Sequence, residues 1–171
     1  MATTAAGTPY VEASDLVAGY PAVSLALANH IDGLDGGKVL QVVRATDTTS
    51  RTTTSASFVD VTGMTVTITP TAATSSILLF AVFSGLAGGP SAYMETQITT
   101  SANVAISGAQ KMGHGTLASN TRAPYNIIAY DSPATISSVT YKLRFLKGAG
   151  SICLIENNES TGQMYAIEVA A

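Results

Sequence analysis

Apolar and polar residues alternate with a period of two along most of the chain after residue 38. Residues 64–69 (MTVTIT) and 139–145 (VTYKLRF) alternate without a fault. Such alternation is typical of strands with one buried and one solvated face. Looser examples are residues 38–45, 57–62, 93–100, 103–107, 125–130, 151–156 and 163–169, the last through Tyr165, Ile167 and Val169. Gly and Pro residues separate these segments and indicate turns between strands.

The succession of strands predicts the fold class. No helical period recurs between them, as it would in βαβ units, so we expect a mainly β protein, an antiparallel jelly-roll-like β-sandwich. Residues 77–83 (ILLFAVF) are apolar at every position. A strand with two apolar faces needs cover on both sides, which a neighbouring subunit would supply. We therefore predict a homotrimer with Leu79, Ala81 and Phe83 in its interface.

A helical period marks the N-terminal part of the chain. Four apolar residues there are spaced by four, four and three positions: Val23, Leu27, Ile31 and Leu34. That spacing places them on one side of a helix, with Pro21 in its first turn and glycines at its end. Residues 7–11 come before it and predict an extended arm, because the residue before a proline avoids the helical region. We divide the chain into an N-terminal arm with one short helix, residues 1–37, and a β-sandwich domain, residues 38–171.

Composition narrows the classes of partner. Charged residues are 11% of the 171 residues, against about a quarter in an ordinary soluble domain, and about 40 Ser and Thr residues take their place. The net charge of −3 and the lack of a Lys/Arg cluster exclude nucleic acid as a partner. The longest strongly apolar run, residues 77–83, is far shorter than the ~20 residues of a spanning helix, so we expect no membrane insertion. Residues 1–6 lack the features of a secretory signal, which predicts synthesis in a cytoplasm.

No constellation of reactive residues predicts catalysis. His30 and His114, the two histidines, are far apart, and no Gly-x-Ser-x-Gly elbow seats a nucleophile. Two carboxylate pairs lack the spacing of a calcium loop and are interpreted as solvated turn residues: Asp32 with Asp35, and Glu156 with Glu159. Cys153 lies in an apolar stretch and is interpreted as a buried thiol. We expect a protein that is not an enzyme, with no catalytic residue, metal or cofactor.

The longest gap between confident strands, residues 108–123, is the first candidate for a contact site. Loops of that length in compact domains are often functional or disordered. His114 stands between two glycines, where it is either a solvated loop residue or a ligand contact or pH-sensitive switch. Lys111, His114 and Arg122 are the candidate receptor contacts in this loop.

Several segments resemble bacteriophage structural proteins. Residues 7–28 (GTPYVEASDLVAGYPAVSLALA) resemble N-terminal segments of small virion proteins, especially from phages of actinobacteria. Residues 38–43 (KVLQVV), 57–70 (SFVDVTGMTVTITP), 131–133 (DSP) and 138–143 (SVTYKL) are similar to a β-sandwich domain of phage tail-fibre and head-decoration proteins. The resemblance implies a trimeric virion component with an attaching arm and a projecting sandwich, and it carries over no catalytic or metal residue. The attachment residues that follow are Pro9, Tyr10, Val11, Leu16, Tyr20, Pro21, Val23, Leu27 and Ile31.

Two functions remain open. One is a capsid decoration protein, a cement or head-spike protein that binds the major capsid protein or tail proteins of the virion and stabilises the particle. The other is a short tail-fibre or tail-tip adhesin whose loops bind a host surface component such as a glycan. Gly36 and Gly37 join the arm to the sandwich without a shaft between them, which favours the compact decoration protein.

Overall fold

The computed structural model describes residues 2–3, 9–10, 24–27, 39–115 and 121–171. The chain divides into two compact units, Met1–Lys38 and Val39–Ala171. In the first unit, strand β1 (Ala2–Thr3) pairs antiparallel with strand β2 (Pro9–Tyr10). Residues 24–27 form a single helical turn, α1, which includes Leu27. The other predicted attachment residues lie outside the described residues: Val11, Leu16, Tyr20, Pro21, Val23 and Ile31. Their role in attachment stays a prediction.

The second unit is built from antiparallel strands, which confirms the predicted mainly β sandwich. The strands of this unit are β3 (Val39–Asp47), β4 (Arg51–Thr53), β5 (Val59–Ile68), β6 (Ser76–Gly88), β7 (Tyr93–Thr100), β8 (Met112–Gly115), β9 (Ala123–Asp131), β10 (Val139–Ala149), β11 (Ile152–Ile155) and β12 (Gly162–Val169). The expected strand over residues 103–107 is absent, and a single bridge joins Ala105 to Thr99 there. Within the described ranges, no helix is long and apolar enough to cross a membrane.

The strands form two sheets. One has the order β5-β10-β7-β8, and the other has the order β3-β12-β6-β11-β4, with β9 also paired to β6. Strand β6 is 13 residues long, and this length lets it pair with three other strands of the second sheet. Along one edge it pairs with β12 over its first half and with β11 over its second half, and along the other edge it pairs with β9.

The core lies between the two sheets and is filled by alternate side chains of each strand. The largest fully buried side chains are Tyr141, Phe145, Met64, Ile68, Ile77, Leu79, Met94, Ile98, Ile127, Leu143, Ile155 and Met164. Strand β5 changes which positions it buries at Gly63, from Val61 before it to Met64 after it, and the β5–β10 register shifts in the same region. Gly63 has φ of +99°, and a Cβ there would lie 2.6 Å from Oδ1 of Asp47. This break in the alternation of buried positions therefore requires glycine.

The burial of β6 corrects the predicted trimer interface. Leu79, Ala81 and Phe83 are 0%, 0% and 2% exposed, so their side chains lie in the core and cannot meet another subunit. The outward positions of this strand are Leu78, Phe80 and Val82, because side chains alternate between the faces of a sheet. An apolar run without alternation does not reveal which half points inward, and this is why the sequence misassigned the two faces.

Candidate functional site

Residues 101–115, the described residues that follow β7, form more structure than a gap in the sequence pattern suggests. Residues 101–111 fold back along β7, where the Ile98 N–H donates to the Ala109 carbonyl at 3.1 Å and the Ile106 N–H donates to the Ile98 carbonyl at 2.9 Å. Ile106 is 4% exposed and Ala109 is fully buried. The start of the predicted receptor loop is thus anchored in the core by Ala109 within it and by Ile106 just before it.

His114 lies in the sandwich interior, which corrects its expected place as an exposed loop residue. Strand β8 pairs His114 with Met94 of β7, and the ring turns inward to 9% exposure. Its Nε2 is 2.7 Å from Oγ1 of Thr96. Burial lowers the pKa of the imidazole, because the charged form would lose its hydration. A neutral ring held by Thr96 fastens β8 to the core and is not presented to a receptor.

Aromatic rings from the opposite sheet surround His114. The ring of Tyr125 on β9 lies 4.6 Å from it, centroid to centroid, and the ring of Phe83 on β6 meets it edge-on at 5.9 Å. Gly85 makes room for this cluster, since a Cβ there would collide with the Met94 methyl group and lie 3.1 Å from the Tyr125 ring. The Tyr125 hydroxyl is buried and has no hydrogen-bond partner among the described residues. The cluster joins the two sheets by ring packing.

Lys111 and Arg122 stand on either side of His114 in sequence, and each is held by an ion pair. Nζ of Lys111 lies 3.2 Å from Oε2 of Glu95, a carboxylate that is nearly buried on β7. Nε of Arg122 donates to Oε2 of Glu156 at 2.8 Å, and its Nη1 lies 3.5 Å from Oε2 of Glu159. Both basic side chains are more than half exposed. Glu156 is 7% exposed, so the expectation that it is a solvated turn residue is corrected.

The thiol of Cys153, also in this region, is unreactive. Cys153 is fully buried, its Sγ lies 3.6 Å from the Tyr93 carbonyl, and burial raises the pKa of its thiol to about 11. The thiol is therefore protonated at neutral pH and is a poor nucleophile. Among the described residues there is no group of three or more His, Cys, Asp or Glu side chains that could hold a metal ion.

Sequence reasoning missed a buried carboxylate on β12. Glu168 is fully buried, and it accepts hydrogen bonds from Nε2 of Gln41 at 2.6 Å and from N and Oγ1 of Thr71 at 2.7 and 2.8 Å. Burial raises the pKa of this carboxyl, but the hydrogen bonds outweigh that effect and lower the pKa to about 2. Glu168 thereby ties the connection between β5 and β6 to β12 and β3. Glu168 lies two residues after Ala166, on the face of the strand opposite to Tyr165, Ile167 and Val169, so no local signal indicated that it is buried.

A second missed group lies where β3 ends. Asp47 is 8% exposed, and its Oδ2 accepts a hydrogen bond from Nδ2 of Asn157 at 2.9 Å and lies 3.3 Å from Nη1 of Arg51. These contacts join β3, β4 and the turn before β12. Like the Glu168 group, they hold strands together, and they leave no open coordination or catalytic geometry among the residues named.

The outer surface of the six-stranded sheet is apolar over four adjacent strands. In one row across the sheet, Val42, Ile167, Leu78 and Tyr130 lie opposite one another on β3, β12, β6 and β9. In the next row the same strands contribute Arg44, Tyr165, Phe80 and Ile128. We call the apolar face the outward side chains Val42, Leu78, Phe80, Val82, Ile128, Tyr130, Tyr165 and Ile167. Four of them are strongly exposed: Val42 (57%), Val82 (42%), Ile128 (51%) and Tyr130 (57%).

Three solved structures with some likeness to this chain are viral proteins. A chain of the T13 particle of infectious bursal disease virus has 12% identity and a TM-score of 0.40, with 79% of this chain and 36% of that chain covered. The Gx strain of the same virus gives 16% identity and a TM-score of 0.40, with 76% and 32% covered. The enzymatically active domain of tailspike protein 4 of bacteriophage CBA120 gives 12% identity and a TM-score of 0.30, with 75% and 19% covered.

This chain therefore spans about a third or less of the length of those chains. No protein-family model matches the sequence, and no curated protein matches it. Likenesses of this size do not assign the chain to a family.

Proposed function

We propose that this protein is a non-enzymatic structural component of a bacteriophage virion, assembled in the cytoplasm of the bacterial host. Its role is that of a trimeric capsid decoration protein, which binds the particle through residues 1–37 and stabilises it through the sandwich. The resemblance of residues 7–28 to N-terminal segments of small virion proteins supports the place of attachment.

The observation that carries the proposal is the apolar face on a chain that has little charge. Monomeric soluble proteins rarely expose contiguous apolar patches larger than a few hundred Å², and larger patches mark interaction surfaces. Subunits of a closed symmetric assembly can cover such a surface with one another. A chain with 11% charged residues and an exposed apolar sheet face suits a protein packed among neighbours.

The interior groups support a structural role in place of a catalytic one. His114 is engaged with Thr96, Glu168 with Gln41 and Thr71, and Cys153 is kept protonated by burial. A general base or nucleophile needs access to a substrate and a pKa suited to proton transfer near the working pH. These groups instead join strands that are distant in sequence.

Attachment can be tested with the full chain and with a variant that lacks residues 1–36. Each is mixed with virus particles assembled without the protein, and binding is measured by co-sedimentation. We expect the full chain to sediment with the particles and the shortened chain to remain in the supernatant. Circular dichroism of the shortened chain checks that the sandwich is folded.

Retained binding by the folded, shortened chain would refute attachment through the arm. If the shortened chain instead binds host cells and the full chain does not bind virus particles, the result supports the adhesin alternative. In that case Lys111→Ala and Arg122→Ala, which remove the two exposed basic side chains of the predicted receptor loop, should reduce binding to cells.

A further inference from the structure

We infer that the apolar face is the contact surface between copies of this chain, with three such faces meeting about a common axis. The inference rests on the proposed function for the number of copies, and it adds how the apolar faces of those copies meet. The side chains of the apolar face reach the exterior, whereas those of Leu79, Ala81 and Phe83, which the sequence predicted for the interface, are buried.

The dimensions of the face suit an interface between subunits. Four strands at about 4.8 Å spacing and about seven residues at about 3.4 Å rise give a plane on the order of 450 Å², before side-chain relief is counted. A standard interface buries about 800 Å² on each partner, so the face by itself is roughly half of one and the residues around it supply the rest. The two central rows supply the apolar centre of such a contact. Polar outward residues at the ends of the same strands, Thr46 on β3 and Asn126 on β9, supply a rim.

The distribution of charge identifies a copy of the same chain as the occupant. Arg44 is the charged member of the two rows, and it lies on β3 at one edge of the face. A partner with a charged surface would leave most of its charge unpaired against these strands, whereas another apolar face would not. The face is therefore best complemented by a surface like itself.

A three-fold arrangement also gives Arg44 a partner. When three sheets surround an axis roughly parallel to their strands, the β3 edge of each copy adjoins the β9 edge of the next. Arg44 of one copy then lies level with Ile128 of its neighbour and one row away from Tyr130, whose ring its long side chain can reach and stack on. The three Arg44 side chains stand at separate corners, so like charges do not meet. Phe80 and Tyr165, on the two central strands, pack around the axis.

The test is the mass of the full-length protein in solution, measured by size-exclusion chromatography with light scattering at micromolar concentration. We expect the wild-type chain to have three times the monomer mass of 17.4 kDa. Ile128→Glu and Val82→Glu place a carboxylate in the face and should lower the mass to that of one chain. Both positions are exposed in the single chain, so the substitutions should leave the sandwich folded.

Two matched controls carry the same change at exposed apolar residues elsewhere. Ile136 is 65% exposed and Val104 is 62% exposed, and neither belongs to the face. Ile136→Glu and Val104→Glu should keep the mass of the wild-type protein. If a Glu variant of the face fails to fold by circular dichroism, Ile128→Thr and Val82→Ser serve in its place, with at least a tenfold rise in the concentration of half-dissociation expected.

A wild-type mass of one or two chains would overturn the three-fold contact. Face variants that keep the wild-type mass would overturn the apolar face as its surface, even if the protein is a trimer. The particle-binding experiment separates these outcomes from the proposed function. If the protein binds particles as a monomer, the virion role is supported and the three-fold contact is refuted. If it is a trimer that depends on the face but binds no particle, the contact is supported and the virion role is refuted.

Discussion

Replacing Glu168 by glutamine tests whether an ionised carboxylate is part of the core. The substitution keeps the shape of the side chain but turns one acceptor into an NH₂ group that faces Nε2 of Gln41 at hydrogen-bond distance. Gln41 cannot simply rotate its amide, because the same Nε2 also donates to the Thr69 carbonyl at 2.7 Å. One pair of like groups must therefore remain in contact in the variant.

The expected loss can be estimated in two ways. A lost hydrogen bond to a charged group and the buried donor left unsatisfied together cost about 2 to 4 kcal/mol after relaxation. The lowering of the Glu168 pKa from 4.5 to about 2 corresponds to about 3 kcal/mol of stability at neutral pH. We expect Glu168→Gln to lower the free energy of unfolding by about 3 kcal/mol and Tm by roughly 10 °C. Urea unfolding followed by circular dichroism measures the change, since the chain has no Trp.

The pH dependence of the stability difference between wild type and Glu168→Gln provides a second test. The pKa of Glu168 is lower in the folded chain than in the unfolded chain, so its contribution is complete above about pH 4.5 and is lost as the pH falls through about 2. The stability difference between wild type and Glu168→Gln should therefore be largest at pH 7 and mostly closed by about pH 2.5. Glu159→Gln is the control, because Glu159 is half exposed and its loss should cost at most about 0.5 kcal/mol. Equal stability of wild type and Glu168→Gln at pH 7, or a difference that does not change with pH, would refute the reasoning.

Three further substitutions test other parts of the fold. Gly63→Ala should destabilise the sandwich by about 2 kcal/mol or more in urea unfolding, because the φ of +99° is strained for alanine and its methyl group would collide with Asp47; an unchanged midpoint would contradict this account of the turn. His114→Gln should remove a loss of stability that the wild type shows as the pH falls below about 6.5, since the folded-state pKa is the lower one; parallel pH profiles of the two proteins would exclude a buried neutral histidine. Leu79→Ala should cost about 2 to 5 kcal/mol and Val82→Ala much less when the two are compared as single chains; equal costs would mean that the faces of β6 are assigned incorrectly.

The sequence predicted the class of fold and most strands, because the alternation of residues is a local signal. The uninterrupted pattern of residues 139–145 corresponds to part of β10, and the residues it suggests are buried, Tyr141, Leu143 and Phe145, are in the core. Where both faces of a strand are apolar, the alternation does not show which face is buried. On β12 the apolar Tyr165 and Ile167 face outward, while Met164, Ala166 and Glu168 face the core.

The partners of the polar side chains could not be predicted. Glu168 meets Gln41 across 127 positions of sequence, and Asn157 meets Asp47 across 110. Such contacts depend on which strands pair, and nothing in the local pattern encodes that order. His114 illustrates the same limit: its two glycine neighbours favour a loop, but pairing with Met94 makes the segment a strand and turns the ring inward.

The central position of β6 has a consequence for synthesis on the ribosome. The partners of this 13-residue strand are β9, β11 and β12, all of which are translated later. At about 5 to 20 residues per second, the ~80 residues from the end of β6 to the end of β12 take roughly 4 to 16 s to emerge. The most apolar segment of the chain lacks every pairing strand until β9 has emerged, and it lacks its full set of partners until β12 has emerged. Chaperone binding to nascent chains should therefore peak after residue 88 has left the ribosome and decline once β12 has emerged.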